Sequence, residues 1–311
     1  MKAVFLDAST LGHDVDLAPL ERVAGSIVKH ASTTIAQVGE RIRGFDTVLV
    51  NKVVLTREHF ENCPELKTIA VVATGLNNVD VEAAREHGIQ VLNVTNYGRS
   101  TVAQHTMALM LALATRLLDY DRDVRAGRWA ESDMFCLMGH PIMELEGRTL
   151  GILGYGDLGQ GVAERARAFG MNILLGARPG QAAGEVDGYP RIPLDELLPQ
   201  VDVLSIHCLL TDETRNLIGA RELQMMKPDA LLINTSRGGL VDEDALAHAL
   251  RHHVIGGAGF DVLTEEPPRN GNPLLAGDIP NLIITPHSAW ASREARQRIV
   301  EITAQNLASI S

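Results

Sequence analysis

The chain is 311 residues long, 45% hydrophobic and 22% charged, the make-up of a globular protein with room for two ordinary domains. A formal net charge of −11 offers no basic stripe to neutralise phosphates, which disfavours nucleic acid as a partner and argues equally against an anionic membrane surface. Cys63, Cys136 and Cys208 are odd in number and far apart, so they suggest neither a disulfide framework nor a cysteine zinc site, and a cytoplasmic setting is expected.

In chain order, Ala3 to Asp7 reads as a first strand rather than a signal peptide, because acidic Asp7 interrupts the run and no apolar segment follows. Further strands are expected near Ser26 to His30, Thr47 to Val50, Lys67 to Ala73 and Gln90 to Val94, with helices between them, one opened by Thr34 as N-cap. Thr101 to Gly127 then reads as one long linking helix, apolar on more than one face in its first half and charged in its second. Such a helix must be buried, and a second subunit is one way to bury it. The longest apolar stretch, Met107 to Leu118, contains Arg116 and is too short to span a bilayer.

A second series of strands starts at Leu150 and continues through Asn172 to Leu175, Val201 to Ile206, Ala230 to Asn234, Ile255 to Phe260 and Leu282 to Thr285. After Pro286 a last helix, about Ser292 to Ile310, would return to the first domain. Short apolar runs alternating with helical patterns imply an α/β fold of two doubly wound, parallel-sheet domains. The first is flavodoxin-like and discontinuous, residues 1–98 with 288–311, and the second, residues 99–287, is of Rossmann type.

The turn Gly154-x-Gly156-x-x-Gly159 lies between an apolar strand and an amphipathic helix, about Leu158 to Phe169, and reads as a dinucleotide-binding fingerprint. Gly154 allows the tight turn, Gly156 the approach of a pyrophosphate and Gly159 the packing of helix on sheet, with the helix N-terminus facing the anion. Three segments at later strand ends carry residues suited to keto-acid reduction. Arg237 offers a planar cationic donor for a carboxylate and carbonyl, His287 can deliver a proton near neutral pH, and Glu266 can favour and orient the charged imidazole. Singly, each has a blander reading as a solvated cation, a structural histidine or an exposed acid. Their coincidence at strand ends of one sheet that also bears the nucleotide turn reverses that weighting.

With Asn234-x-x-Arg237-Gly238-Gly239, Asp261-Val262-x-x-x-Glu266-Pro267 and Thr285-Pro286-His287, the glycine turn completes four motifs in order, through which the chain resembles the D-isomer-specific 2-hydroxyacid dehydrogenases over essentially its full length. Within that family it is most similar to glycerate dehydrogenases, also called hydroxypyruvate reductases, at Val50 to Val54, Ala73 to Asp80, Asn96 to His105 and Pro286 to Trp290. The resemblance implies that Arg237 binds substrate, His287 is the acid/base and Glu266 its partner, and that Thr74, Gly75 and Leu76 offer backbone N–H groups to the substrate carboxylate. It further implies that Asp261 bonds the nicotinamide carboxamide, and that His207 and Cys208 line the adenosine side, where Leu209 stands in place of the family's usual proline. Asp157, Leu158, Thr101, Thr214, Thr235 and Ser236 complete the expected cofactor-binding set.

Asn51 and Lys52 are candidates for contacts to a substrate hydroxyl, Lys52 with a solvated role as the alternative, while Tyr97 and Trp290 either cover the substrate or fill core. An acid that binds the ribose 2′-hydroxyl is expected about 20 residues beyond the glycine turn in an NAD site. Ala177 stands there with Arg178 beside it, so NADP(H) is favoured and NAD(H) is the alternative. No metal site is expected, and a homodimer is. Phosphoglycerate or D-lactate type dehydrogenases are the alternatives within the family, although Thr74 to Asn78 holds no Arg or Lys for a phosphate. A nucleotide-sensing co-repressor is the alternative of a different class.

Overall fold

The computed structural model describes residues 1–310, in two compact units: Met1–Gly98 with the C-terminal segment from Ala291, and Arg99–Trp290. The first unit holds a parallel sheet of β1 (Lys2–Phe5), β2 (Ser26–Lys29), β3 (Thr47–Val50), β4 (Thr68–Val71) and β5 (Gln90–Leu92), in the order β2-β1-β3-β4-β5. This is the flavodoxin-like order. The strands β3 and β4 are buried throughout, which explains why both read as unbroken apolar runs rather than alternating ones. Thr34 caps the helix Ile35–Ile42, its amide donating to Gln37 Oε1 at 3.1 Å. The last helix, Arg293–Ala308, is tied to this unit by Arg296, which bonds the Leu11 carbonyl and the Asp14 carboxylate, and by Arg298, which donates to the Tyr97 carbonyl.

The second unit has an eight-stranded sheet of β6 (Thr149–Leu153), β7 (Asn172–Ala177), β8 (Gly184–Val186), β9 (Tyr189–Pro193), β10 (Val203–Ile206), β11 (Leu231–Asn234), β12 (Gly257–Phe260) and β13 (Leu282–Ile284). Its order is β13-β12-β11-β10-β6-β7-β9-β8, and only β8 runs antiparallel to its neighbour. From β6 the chain winds outward through β7 and β9, then returns to β10 on the other side, so the topological switch lies between β6 and β10.

The structure departs from the sequence reading at three places. The hairpin β8–β9 was not anticipated, because its strands are short and half exposed; its signal was Asp187-Gly188, whose φ values of 51° and 81° are those of a primed hairpin turn. The single helix expected over Thr101 to Gly127 is two, Arg99–Ala114 and Leu117–Arg125, because Arg116 takes the left-handed conformation at φ 54° and pairs with Asp119. The freed Ala114 carbonyl is met by the Met143 amide at 2.8 Å. Finally, Ser288 to Trp290 fall in the second unit, since the amides of Ser288 and Ala289 are bound by Asp261.

Among the described residues no helix is long and apolar enough to cross a membrane, and no group of three or more His, Cys, Asp or Glu is placed to hold a metal ion.

Candidate active site

The strand pairing sets the site. Asn234, Phe260 and Ile284 end β11, β12 and β13 in one register row, so Arg237, Glu266 and His287 all emerge from the carboxyl edge of three adjacent strands. Leu153, Gly176 and Ile206 share the corresponding row on β6, β7 and β10, which places Gly154, Arg178 and His207 on the same edge.

His287 is fixed through backbone and ring. Its φ is 53°, a conformation a residue with a Cβ adopts only when its surroundings impose it, and its amide donates to the Asp261 carbonyl at 2.8 Å. The Asp261 side chain is buried and accepts from Thr285 Oγ1, Ser288 N and Ala289 N, which fastens the turn on both sides of His287. Trp290 is half buried, and its indole N–H donates to the His287 carbonyl at 2.9 Å. On the ring, Nδ1 lies 2.6 Å from Glu266 Oε2, which leaves Nε2 as the atom that can exchange a proton outward.

Glu266 is itself held, its other oxygen accepting from the Leu263 amide at 2.8 Å. Burial pushes its carboxyl up, but hydrogen bonds from His287 and the Leu263 amide, together with the charges of His287 and Arg237, outweigh burial and hold it below the usual carboxylate range. It is therefore an anion against the imidazole. Arg237 leaves β11 through a turn organised by buried Asn234, whose Oδ1 accepts from Ser236 N and whose Nδ2 donates to the Arg237 carbonyl. Gly238 follows because a side chain there would come within 2.0 Å of the Leu263 carbonyl carbon. That contact presses the Arg237 turn against the loop bearing Glu266. The guanidinium is exposed, bonded only to the Ser236 carbonyl at 2.7 Å, and available to an anion.

The other half of the edge suits a dinucleotide. Gly154, at φ 97°, packs so closely on the loop after β10 that a side chain would lie 2.6 Å from the Cys208 amide, and Gly159 sits directly on the Gly154 carbonyl. Beside Gly156 there is open space, which a phosphate needs. The helix Asp157–Ala168 begins here, with Asp157 bonded to Arg99 and Leu158 half buried. His207 is pushed down to about 4 by burial and is neutral; its Nε2 meets Ser205 Oγ at 2.8 Å. Burial pushes the Cys208 thiol up, against the nearby charge of Arg178, so it is no nucleophile at neutral pH.

Only three buried side-chain nitrogen or oxygen atoms among the described residues have no hydrogen-bond partner: Arg178 Nε, His207 Nδ1 and Asn51 Nδ2. Each falls on a position the sequence marks for ligand binding, and an orphaned buried donor or acceptor is costly unless a ligand completes it. The residues at the strand ends of β6, β7 and β10 thus fit a nucleotide.

Other expected cofactor positions are engaged within the chain. Thr101 Oγ1 donates to the Ala289 carbonyl, Thr214 Oγ1 to the Leu209 carbonyl and Ser236 Oγ to the Cys208 carbonyl, while Thr235 Oγ1 meets Thr106 Oγ1. These bonds shape the loops. Ala177 is half buried at the end of β7.

In the first unit, Asn51 and Lys52 follow β3, and Thr74, Gly75 and Leu76 follow β4, so these too stand at carboxyl ends of adjacent strands. Asp7, at the end of β1, was seen in the sequence only as a break in an apolar run, yet its buried carboxylate accepts from the amides of Asn51, Lys52 and Val53. Thr74 Oγ1 donates to the Val94 carbonyl, and Tyr97 is half buried.

Residues 107–289 match the family described as D-isomer specific 2-hydroxyacid dehydrogenase, NAD binding domain. The chain belongs to this family. A glycerate dehydrogenase of Methylorubrum extorquens is 42% identical over 98% of this chain and 95% of its own. A hydroxypyruvate reductase of Blautia hydrogenotrophica is 38% identical over 99% and 96%. Among solved structures, an NADPH-dependent glyoxylate/hydroxypyruvate reductase of Sinorhizobium meliloti superposes with a TM-score of 0.82 at 29% identity, covering 99% of this chain and 94% of that one. The residues matched to the NAD binding domain fall in the second unit, the one that also carries Arg237, Glu266 and His287.

Proposed function

We propose that the protein reduces hydroxypyruvate to D-glycerate, and glyoxylate to glycolate, with NADPH preferred over NADH. The observation that carries the reading is the 2.6 Å pair of His287 Nδ1 and anionic Glu266 beside Arg237, an acid and a carboxylate receptor on adjacent strand ends. The reduced nicotinamide supplies the hydride for C2. Arg237 holds the substrate carboxylate and draws electrons from the carbonyl, and His287 Nε2 gives its proton to the oxygen as negative charge develops there. Thr74 to Leu76 contribute backbone donors, and Asp261 and Thr101 act on the cofactor side in this reading. The substrate assignment is supported by the names of the relatives and by Asn51, whose buried Nδ2 lacks a partner and suits a ligand hydroxyl.

The preference for NADPH is supported by the residues after β7. Ala177 presents no charge to repel a 2′-phosphate, and Arg178 has a buried, unpartnered Nε with which to bind one. Initial rates for hydroxypyruvate, glyoxylate, pyruvate and 3-phosphohydroxypyruvate, each with NADH and NADPH, test both readings. Hydroxypyruvate is expected to exceed pyruvate in kcat/KM by at least about 10-fold, because without a 3-hydroxyl a buried donor stays unpaired. Equal values would overturn the substrate assignment. In Arg178→Ala the KM for NADPH rises about 10-fold or more while that for NADH stays nearly constant; an equal change in both, or a wild type that prefers NADH, would overturn the cofactor assignment.

A homodimer is part of the same proposal. Leu117, Trp129, Met134, Phe135, Met138 and Ile142 are all exposed within one short stretch, far more apolar surface than scattered single residues would give. Sedimentation at the mass of one chain would contradict it.

A further inference from the structure

The helix Arg99–Ala114 buries Val102, Ala103, Met107, Met110 and Leu113, yet three of its polar side chains each bond a loop of the active site. Thr101 reaches the Ala289 carbonyl, Thr106 reaches Thr235 in the Arg237 turn, and His105 Nε2 lies 2.9 Å from Thr285 Oγ1. The last contact has a fixed direction. Thr285 has one O–H, which it donates to Asp261 Oδ1 at 2.5 Å, so toward His105 it can only accept. His105 therefore donates from Nε2–H. The same Asp261 carboxylate accepts the Ser288 and Ala289 amides, and the residue enclosed between Thr285 and Ser288 bonds is His287 at its left-handed φ of 53°.

We propose that His105 is a positioning residue for His287, acting through Thr285 and Asp261. Its N–H satisfies the Thr285 oxygen and so commits the Thr285 proton to Asp261. The carboxylate, thus held, keeps both flanking amides and maintains the imposed backbone at His287, from which Nε2 is aimed. His105 is half buried, and its Nε2 also lies 3.6 Å from Asp261 Oδ1. This rests on the reading of His287 as the proton donor. The two fail differently: absence of keto-acid turnover in the wild type removes the reading, whereas an indifferent His105 variant in an active enzyme removes only the inference.

The test compares His105→Phe, His105→Gln, Thr285→Val and the double variant His105→Phe/Thr285→Val, measuring kcat and KM for hydroxypyruvate, NADPH affinity and melting temperature. A lost positioning bond is expected to lower kcat about 10-fold in His105→Phe, with NADPH affinity within about twofold of the wild type. Glutamine, whose Nε2 matches the position of the histidine Nε2, restores most of kcat. The double variant loses no more than Thr285→Val alone, because both act through one path. A kcat within twofold of wild type for His105→Phe, a glutamine variant as impaired as the phenylalanine one, or losses that multiply in the double variant would each overturn the inference. A phenylalanine variant that melts much earlier shifts the decision to His105→Gln and Thr285→Val, whose kcat values are read in the same way.

Discussion

Replacing His287 by alanine is expected to lower kcat for keto-acid reduction by about 10² to 10⁴, the share of a positioned general acid, with cofactor affinity little changed. The expectation follows from how narrowly the structure specifies this one ring. Its backbone is fastened by Asp261 and by the Trp290 indole, its Nδ1 is bound to Glu266, and only Nε2 is left to act. Nothing in the nucleotide half of the strand edge depends on the imidazole, since Gly154, Arg178 and His207 belong to β6, β7 and β10. A variant with near-normal turnover would show that His287 is a structural loop residue, and a variant that loses cofactor binding as steeply as turnover would show that the two halves are not separable.

Arg237→Ala is expected to cost roughly 2 to 5 kcal/mol in transition-state binding, or about 30- to 5000-fold in kcat/KM for the keto acid, the usual range when one partner of a desolvated charge pair is removed. The guanidinium is exposed and, among the described residues, held only by the Ser236 carbonyl, so it meets a carboxylate without first breaking an ion pair. Arg237→Lys should recover little, because a point charge cannot bind carboxylate and carbonyl in one planar fork. Steady-state kinetics of both variants with hydroxypyruvate check this; a lysine enzyme with wild-type kcat/KM would mean that only charge at this position matters.

Much of this was legible in the sequence because the chemistry and the fold leave marks at the same places. Buried parallel strands are nearly continuous apolar runs, as at Ile69 to Val71 and Leu231 to Ile233, and in an open α/β sheet ligand-binding residues lie just beyond their carboxyl ends. Arg237, Glu266 and His287 could therefore be picked from strand ends before any geometry was known. The supporting residues left weaker marks. Asp7, Asn234 and His105 act through backbone amides or through other side chains, and nothing in an isolated sequence distinguishes a buried acid that holds a loop from an exposed one. The helix break at Arg116 was hidden because arginine has good helix propensity and gives no warning of a left-handed conformation. The β8–β9 hairpin was hidden for the opposite reason: its Asp187-Gly188 turn was visible, but Glu185 and Pro190 made the flanking strands look like loop.

The turnover of Glu266→Gln against the wild type tests the central claim most directly, because it asks whether the 2.6 Å pair works as charge on charge. The bond from His287 helps to hold the Glu266 carboxyl below its usual range, so the partner of Nδ1 is an anion. With the anion replaced by a neutral amide of the same shape, kcat for hydroxypyruvate is expected to fall about 10- to 100-fold with the KM for NADPH little changed, while a kcat within twofold of the wild type would contradict the account.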